Sequence, residues 1–229
     1  MSNNPDLAAV AALIADPARA AMLAALMDDV ALPAGELARL AKITPQTAST
    51  HLAKLTQGNL VNMTQIGRHR YFRLSSKNVA RTLESLAFIA PTAKIHNLRD
   101  SLERKDIYRA RTCYDHLAGE LGVKLAQALV SLKVIRYQDE TYEITSTGTN
   151  WMNTFGIDCS QLLGRRRIFV RACHDWSERK PHIAGSLGAA LLKSMFEQKW
   201  IARVKGSRAV RVTEIGRYHL NSELGIDWK

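Results

Sequence analysis

Two sets of residues carry side chains able to do chemistry. The first lies in ITPQTASTHLAKL, residues 43–55, where Thr44, Gln46, Thr47, Ser49, Thr50, His51 and Lys54 bring hydroxyl, amide, imidazole and ammonium groups together. Short polar side chains compete with the backbone for hydrogen bonds and form helices poorly, so a helix rich in them needs their donors and acceptors for something outside itself. Amides, hydroxyls and cations match the acceptors and donors on base edges in a DNA major groove, and the methyls of Thr or Ala can meet thymine. The second set is duplicated. R-x-C-x-D followed by H-x-A-G-x-L-G places Cys113, Asp115 and His116 in one copy and Cys173, Asp175 and His182 in another, with Tyr114, His174 and Trp176 between them. Thiols and imidazoles suit ligand binding, redox chemistry or metal coordination.

The elements that must position the first set are legible in the first ninety residues. PDLAAVAALIADPARAAMLAALM reads as two helices broken at Asp16 and Pro17, with Leu13, Ala20, Leu23 and Leu26 inward. LPAGELARLAKI is a shorter helix with Leu37, Leu40 and Ala41 inward. The polar helix starts at Thr44 as N-cap with Pro45 in its first turn. On a helical wheel Ala48, Leu52 and Leu55 form the buried stripe, whereas Gln46, Thr47, Thr50, Ala53 and Lys54 face out together. Ser49 and His51 flank the boundary, where packing and a phosphate contact are both open to His51.

NMTQIGRHRYFRLSS then gives a two-stranded hairpin with Arg68, His69 and Arg70 at its basic tip, and Ser76 can cap a last helix, NVARTLESLAFI. Helix, short helix, turn, polar helix and basic hairpin make a winged helix-turn-helix. In such a unit the hairpin tip holds phosphates or enters the neighbouring minor groove, setting register and salt-dependent affinity. Charge agrees: the chain is +11 overall, and residues 37–83 contain no Asp or Glu but include Arg39, Lys42, Lys54, Arg68, Arg70, Arg73, Lys77 and Arg81.

DPARAAMLAAL, GELARLAKITPQTASTHLAKLTQGNLV and GRHRYFRL together resemble the ArsR-type bacterial repressors over about residues 7 to 90. The resemblance implies a homodimer, joined through the first and last helices of this domain, that represses a promoter carrying an inverted repeat and leaves DNA when an effector binds. One departure stands out. Metal-sensing members carry closely spaced cysteines on the helix before the recognition helix, but GELARLAKI has none, and His96 is the sole ligand type near the next usual site. A metal sensor of that familiar geometry is therefore not expected, and no cofactor is assigned.

The sequence divides into a winged-helix DNA-binding and dimerisation domain at 1–90, a linking helix at 91–110 and a duplicated effector-sensing domain at 111–229, with repeats at 111–158 and 171–227. The identities continue past the Cys/His motif through Thr145 and Gly148 against Thr213 and Gly216, and through Gly-Ile-Asp at 156–158 against 225–227. WSERKP is extra in the second copy. Each copy reads as a helix, a hairpin and a Thr-capped helix, so the fold class is mainly α with small β-hairpins (α+β), the C-terminal domain being two winged-helix-like repeats.

The repeated motif has two readings. Structurally, Gly permits close backbone approach, Cys is a small buried residue and Arg pairs with Asp. Functionally, Cys113, His116, Cys173, His174 and His182 meet near a shared axis with Tyr114 and Trp176 as apolar walls, an effector site for an unknown small organic molecule in preference to a metal. Redox or metal sensing through Cys113 and Cys173 is the alternative. Cys159 has no repeat partner, and Arg165, Arg166 and Arg167 read as an exposed basic joint with a possible DNA contact. An enzyme is not expected, because no nucleophile elbow, phosphate loop or established metal motif accompanies these residues. Three cysteines argue against a disulfide framework and LAAVAALIA is too short to span a bilayer, so the expected setting is cytoplasmic, without membrane contact.

Overall fold

The structure is a computed structural model that describes residues 4–91, 97–164 and 167–229. It divides into two compact units, Met1–Ser85 and Leu86–Lys229, with the division inside one helix. His96, Arg165 and Arg166 lie outside the described residues.

Unit 1 begins with α1 (Leu7–Ile14) and α2 (Pro17–Ala25). They break where the sequence places the break. Asp16 caps α2 by accepting from the Arg19 amide at 2.9 Å, while the Arg19 guanidinium turns back to donate to the Leu13 and Ala12 carbonyls at 2.6 and 2.7 Å. One DPAR motif thus satisfies the end of one helix and the start of the next. After β1 (Leu32–Pro33) come α3 (Ala34–Leu40) and α4 (Pro45–Gln57), then β2 (Val61–Ile66) and β3 (His69–Leu74). β1 adds to β3 antiparallel, an edge the sequence does not announce, giving a three-stranded sheet in the order β1-β3-β2. Met22, Leu23, Leu26, Leu37, Leu52, Leu55 and Phe72 are buried at its core. α5 (Lys77–Ile89) follows, its Val79 amide donating to Ser76 Oγ at 3.3 Å.

Unit 2 contains α6 (Leu98–Arg109) and then two similar halves. The first half runs β4 (Arg111–Cys113), β5 (His116–Ala118), α7 (Gly119–Ser131), β6 (Ile135–Gln138), β7 (Thr141–Ile144) and α8 (Ser146–Thr154). A short α9 (Cys159–Leu163) separates it from β8 (Arg171–His174), β9 (Pro181–Ala184), α10 (Gly185–Glu197), β10 (Ile201–Arg203), β11 (Val210–Val212) and α11 (Glu214–Leu224). Leu121, Leu125, Leu129, Met152, Leu187, Leu191, Met195 and Trp200 form one shared core.

The repeated residues have common structural duties in both halves. Thr145 and Thr213 each cap their helix by accepting from the Gly148 and Gly216 amides at 2.9 Å. A Cβ on either glycine would fall 1.8 Å from the Val134 carbonyl oxygen or 1.9 Å from that of Trp200, so only glycine lets helix and hairpin approach. The sequence reading did not foresee that R-x-C-x-D and H-x-A form a further hairpin ahead of each helix; strands of three or four residues are too short for a period-2 pattern to declare itself. Among the described residues no single helix is long and apolar enough to cross a membrane.

Candidate functional site

α4 sorts its side chains by face. Ala48, Leu52 and Leu55 are buried, while Gln46, Thr47, Thr50, Ala53 and Lys54 are exposed together on the opposite side. Thr44 Oγ1 accepts from the Thr47 amide at 3.2 Å and Pro45 occupies the first turn, so these two set where the helix begins. Ser49 and Thr50 donate to the carbonyls of Pro45 and Gln46, four residues back, at 3.0 and 3.3 Å, which parks each hydroxyl on the helix while its lone pairs face outward. His51 turns inward instead. Its ring is 14 % exposed, with Nδ1 3.4 Å from Arg19 and Nε2 3.8 Å from Asp16, so packing accounts for it and it drops out of the outward-facing set.

The wing projects beside this helix. Ile66 pairs with His69 across a two-residue turn whose first member, Gly67, sits at φ +60°, the conformation a II′-type hairpin requires there. Arg68, His69 and Arg70 are exposed at the tip. Arg39 is held within its own helix, its Nε and Nη2 donating to the two carboxylate oxygens of Glu36.

In unit 2 the two short hairpins bring four of the predicted residues together. Cys113 pairs in register with His116, and Cys173 with His182. Cys113 Sγ and Cys173 Sγ are 3.9 Å apart, His116 Nε2 and His182 Nε2 are 3.1 Å apart, and the four donor atoms all lie within 4.8 Å of one another. Cys113, His116 and His182 are buried and Cys173 half-buried. The glycines of the motif let each helix close on its own hairpin: a Cβ on Gly122 would fall 2.6 Å from the Leu117 carbonyl oxygen, and one on Gly188 would fall 2.4 Å from that of Ile183. The same faces of the two helices lie against the other repeat's histidine, His182 beside Gly122 and His116 beside Gly188.

A second layer holds the rings. His116 Nδ1 lies 3.4 Å from Asp115 Oδ1, and His182 Nδ1 lies 3.6 Å from Asp175 Oδ2. Asp115 is gripped by Arg167 through two bonds of 2.7 and 3.0 Å, so Arg167 is an internal clamp and not the exposed basic joint or DNA contact expected of it. Asp175 accepts from Arg111 at 2.9 Å and from the Gly119 amide at 2.7 Å. The repeat's Arg does pair with Asp, but across repeats, and only once: Arg171 instead donates to the Ala172 carbonyl.

The electrostatics follow from these contacts. Burial pushes the Asp115 carboxyl up, but bonds from His116 and Arg167 outweigh it and hold the group well below the usual carboxylate range. Asp175 is likewise held low against burial, chiefly by the Arg111 charge. The Cys173 thiol lies well below the ordinary thiol range, through the Cys113 hydrogen bond first, with both imidazoles adding to it against burial. Burial lowers His182, whereas His116 is raised because its bond to Asp115, with Cys173, overcomes the burial. Burial also raises Cys159, which is not part of the cluster.

The apolar walls expected of Tyr114 and Trp176 do not form around the cluster. Trp176 stacks under the Arg111 guanidinium at 4.0 Å and meets Tyr108 edge-on, because the WSERKP insertion folds over the Arg111–Asp175 pair. Tyr114 sits in the β4–β5 turn at φ +60°, and His174 is exposed with its ring against Phe88. The residue missed by sequence reasoning is Arg167 as holder of Asp115, and for Arg111 what was missed is that its aspartate comes from the other repeat. One signal for the cluster was available. Cys113-x-x-His116 is itself a ligand spacing, weak alone, and the second copy keeps the Cys/His pair but stretches it to Cys173 and His182 with eight residues between them.

Comparison with known proteins bears on the first unit and on the whole chain. Residues 14–64 match the family model described as "Helix-turn-helix domain". The chain is 46 % identical over 223 residues to an uncharacterised HTH-type transcriptional regulator, YdfF of Bacillus subtilis (strain 168), an alignment covering 97 % of this chain and 99 % of the relative. Among solved structures it is similar to NolR from Sinorhizobium fredii, with 26 % identity, a TM-score of 0.35 and coverage of 41 % of this chain and 100 % of that one. It is also similar to the cadmium metal-sensor CMTR from Mycobacterium tuberculosis, with 31 % identity, a TM-score of 0.33 and coverage of 40 % and 94 %. With 46 % identity along nearly the whole length of one such regulator and a winged helix-turn-helix in unit 1, this chain belongs to the family of helix-turn-helix transcriptional regulators and acts by binding DNA.

Proposed function

We propose that the protein is a homodimeric repressor that reads an inverted-repeat operator and releases it when an effector binds in unit 2. Gln46, Thr47, Thr50 and Lys54 meet base edges in the major groove, with Thr44, Pro45 and Ser49 at the end of α4 that approaches the backbone. Arg68, His69 and Arg70 hold phosphates or enter the adjacent minor groove. The observation that carries this reading is the segregation on α4: its amide, hydroxyl and ammonium groups are exposed together, opposite a fully buried apolar stripe.

Dimerisation is supported by apolar side chains left in the open. α1 has no buried residue although its sequence is LAAVAALI; Leu7 is 77 % exposed, and Ile89 at the end of α5 is 76 % exposed. Large apolar groups so placed are costly in water unless a second copy covers them. The test of the DNA reading is a pair of double variants. Gln46→Ala/Thr50→Ala lowers sequence preference by about 1–3 kcal/mol per lost base contact, and Arg68→Ala/Arg70→Ala weakens binding to every sequence and flattens its salt dependence. Titrations in which neither pair alters binding would overturn the assignment.

A further inference from the structure

We propose that Cys113, His116, Cys173 and His182 bind one divalent cation of the zinc class in tetrahedral coordination, cross-linking the two repeats of unit 2. The sequence reading favoured an organic ligand because neither C-x-x-C nor H-x-x-x-H is present. The folded chain builds the ligand set differently, with one Cys and one His from each repeat.

The distances fit an ion. With bonds of about 2.3 Å to sulfur and about 2.0–2.1 Å to nitrogen, a tetrahedral centre separates two sulfurs by about 3.8 Å and two nitrogens by about 3.3 Å. The separations here are 3.9 Å for the sulfurs and 3.1 Å for the nitrogens.

The outer contacts point the same way. His116 Nδ1 faces Asp115 at 3.4 Å, His182 Nδ1 faces Asp175 at 3.6 Å, and the two Nε2 atoms face one another inside a buried pocket. A cation between them would take a lone pair from each Nε2 and both sulfurs as thiolates, leaving the Nδ1 protons directed at the aspartates. Binding through Nε2, with Nδ1–H aimed at an aspartate, is the outer-layer arrangement that fixes a metal-bound imidazole, and Arg111 and Arg167 fix the aspartates in turn.

The donor chemistry selects the ion. Two sulfurs and two nitrogens, with no oxygen among them, disfavour calcium and magnesium and suit zinc or its softer neighbours. Four protein donors leave no open position for a substrate, so the ion would hold the repeats together or report its own concentration, and would not catalyse a reaction. A Cys113–Cys173 disulfide is the competing use of the two thiols, but it would use neither imidazole.

The test uses the full-length chain and reads metal without DNA, so its failure would leave the operator reading standing, and the reverse holds too. Reduced protein stripped with a chelator is titrated with cobalt(II) and, separately, with zinc. The proposal predicts about one ion per chain, an intense visible spectrum of tetrahedral cobalt with thiolate charge-transfer bands, and displacement of cobalt by zinc. Asp115→Asn retains the spectrum but weakens affinity about 10- to 100-fold. Cys113→Ser/Cys173→Ser abolishes the charge-transfer bands, whereas Cys159→Ser leaves them unchanged. Substoichiometric uptake by the reduced wild-type chain, or a weak octahedral cobalt spectrum, would overturn the proposal. So would retention of the bands in the Cys113/Cys173 variant.

Discussion

At the scale of single residues, the Arg111–Asp175 pair shows how much depends on a few buried contacts. Both side chains are fully buried, and Arg111 also donates to the Ile107 carbonyl and Ser177 Oγ at 3.1 and 3.0 Å. Removing one member of such a pair leaves an uncompensated charge in the interior. Arg111→Ala should therefore destabilise unit 2 by about 3–5 kcal/mol, read as a lower urea midpoint. Arg136→Ala, which breaks the exposed pair with Glu143, should hardly move that midpoint, because water screens it. If both variants behave alike, the buried network does not have the role given to it. The sequence shows that Arg111 and Asp175 recur, yet it cannot show that they bond across the repeats, because that partnership exists only once the two hairpins are placed side by side.

At the scale of elements, the legible parts are those governed by local chemistry. Thr44 with Pro45, Asp16 with Pro17, Gly67 in the wing and the capping bonds that Thr145 and Thr213 accept all act within four residues of their own position, and the chain announces each. The polar and apolar faces of α4 are readable for the same reason. By contrast, β1 is two residues long and owes its pairing to distant β3, and the β4–β5 and β8–β9 hairpins depend on packing against α10 and α7. Those are non-local facts. The equivalence of the repeats gives a sharp expectation: Thr145→Ala and Thr213→Ala should each cost about 1 kcal/mol, since each threonine also donates to a preceding lysine carbonyl at 2.6 Å. Similar losses for both, measured by thermal or chemical unfolding, support equal roles; a loss confined to one would show that the repeats no longer share this duty.

At the scale of the whole molecule, a winged-helix reader is joined in one chain to a duplicated unit whose polar centre is assembled from both repeats. Dimerisation belongs to this scale as well. Leu7→Glu/Ile89→Glu places a charge on each of the apolar side chains that α1 and α5 expose, and on the dimer proposed above sedimentation should give dimers for the parent chain and monomers for this variant; an unaltered dimer would move the interface elsewhere. The most direct test of the central claim, that the exposed groups of α4 choose the DNA sequence, begins with an operator selected from a random pool. The ratio of affinities for that operator and a scrambled duplex is then measured at fixed salt for the parent chain and for Gln46→Ala/Thr50→Ala. The ratio should fall by about tenfold or more while affinity for the scrambled duplex stays the same. An unchanged ratio, or an equal loss on both duplexes, would contradict it.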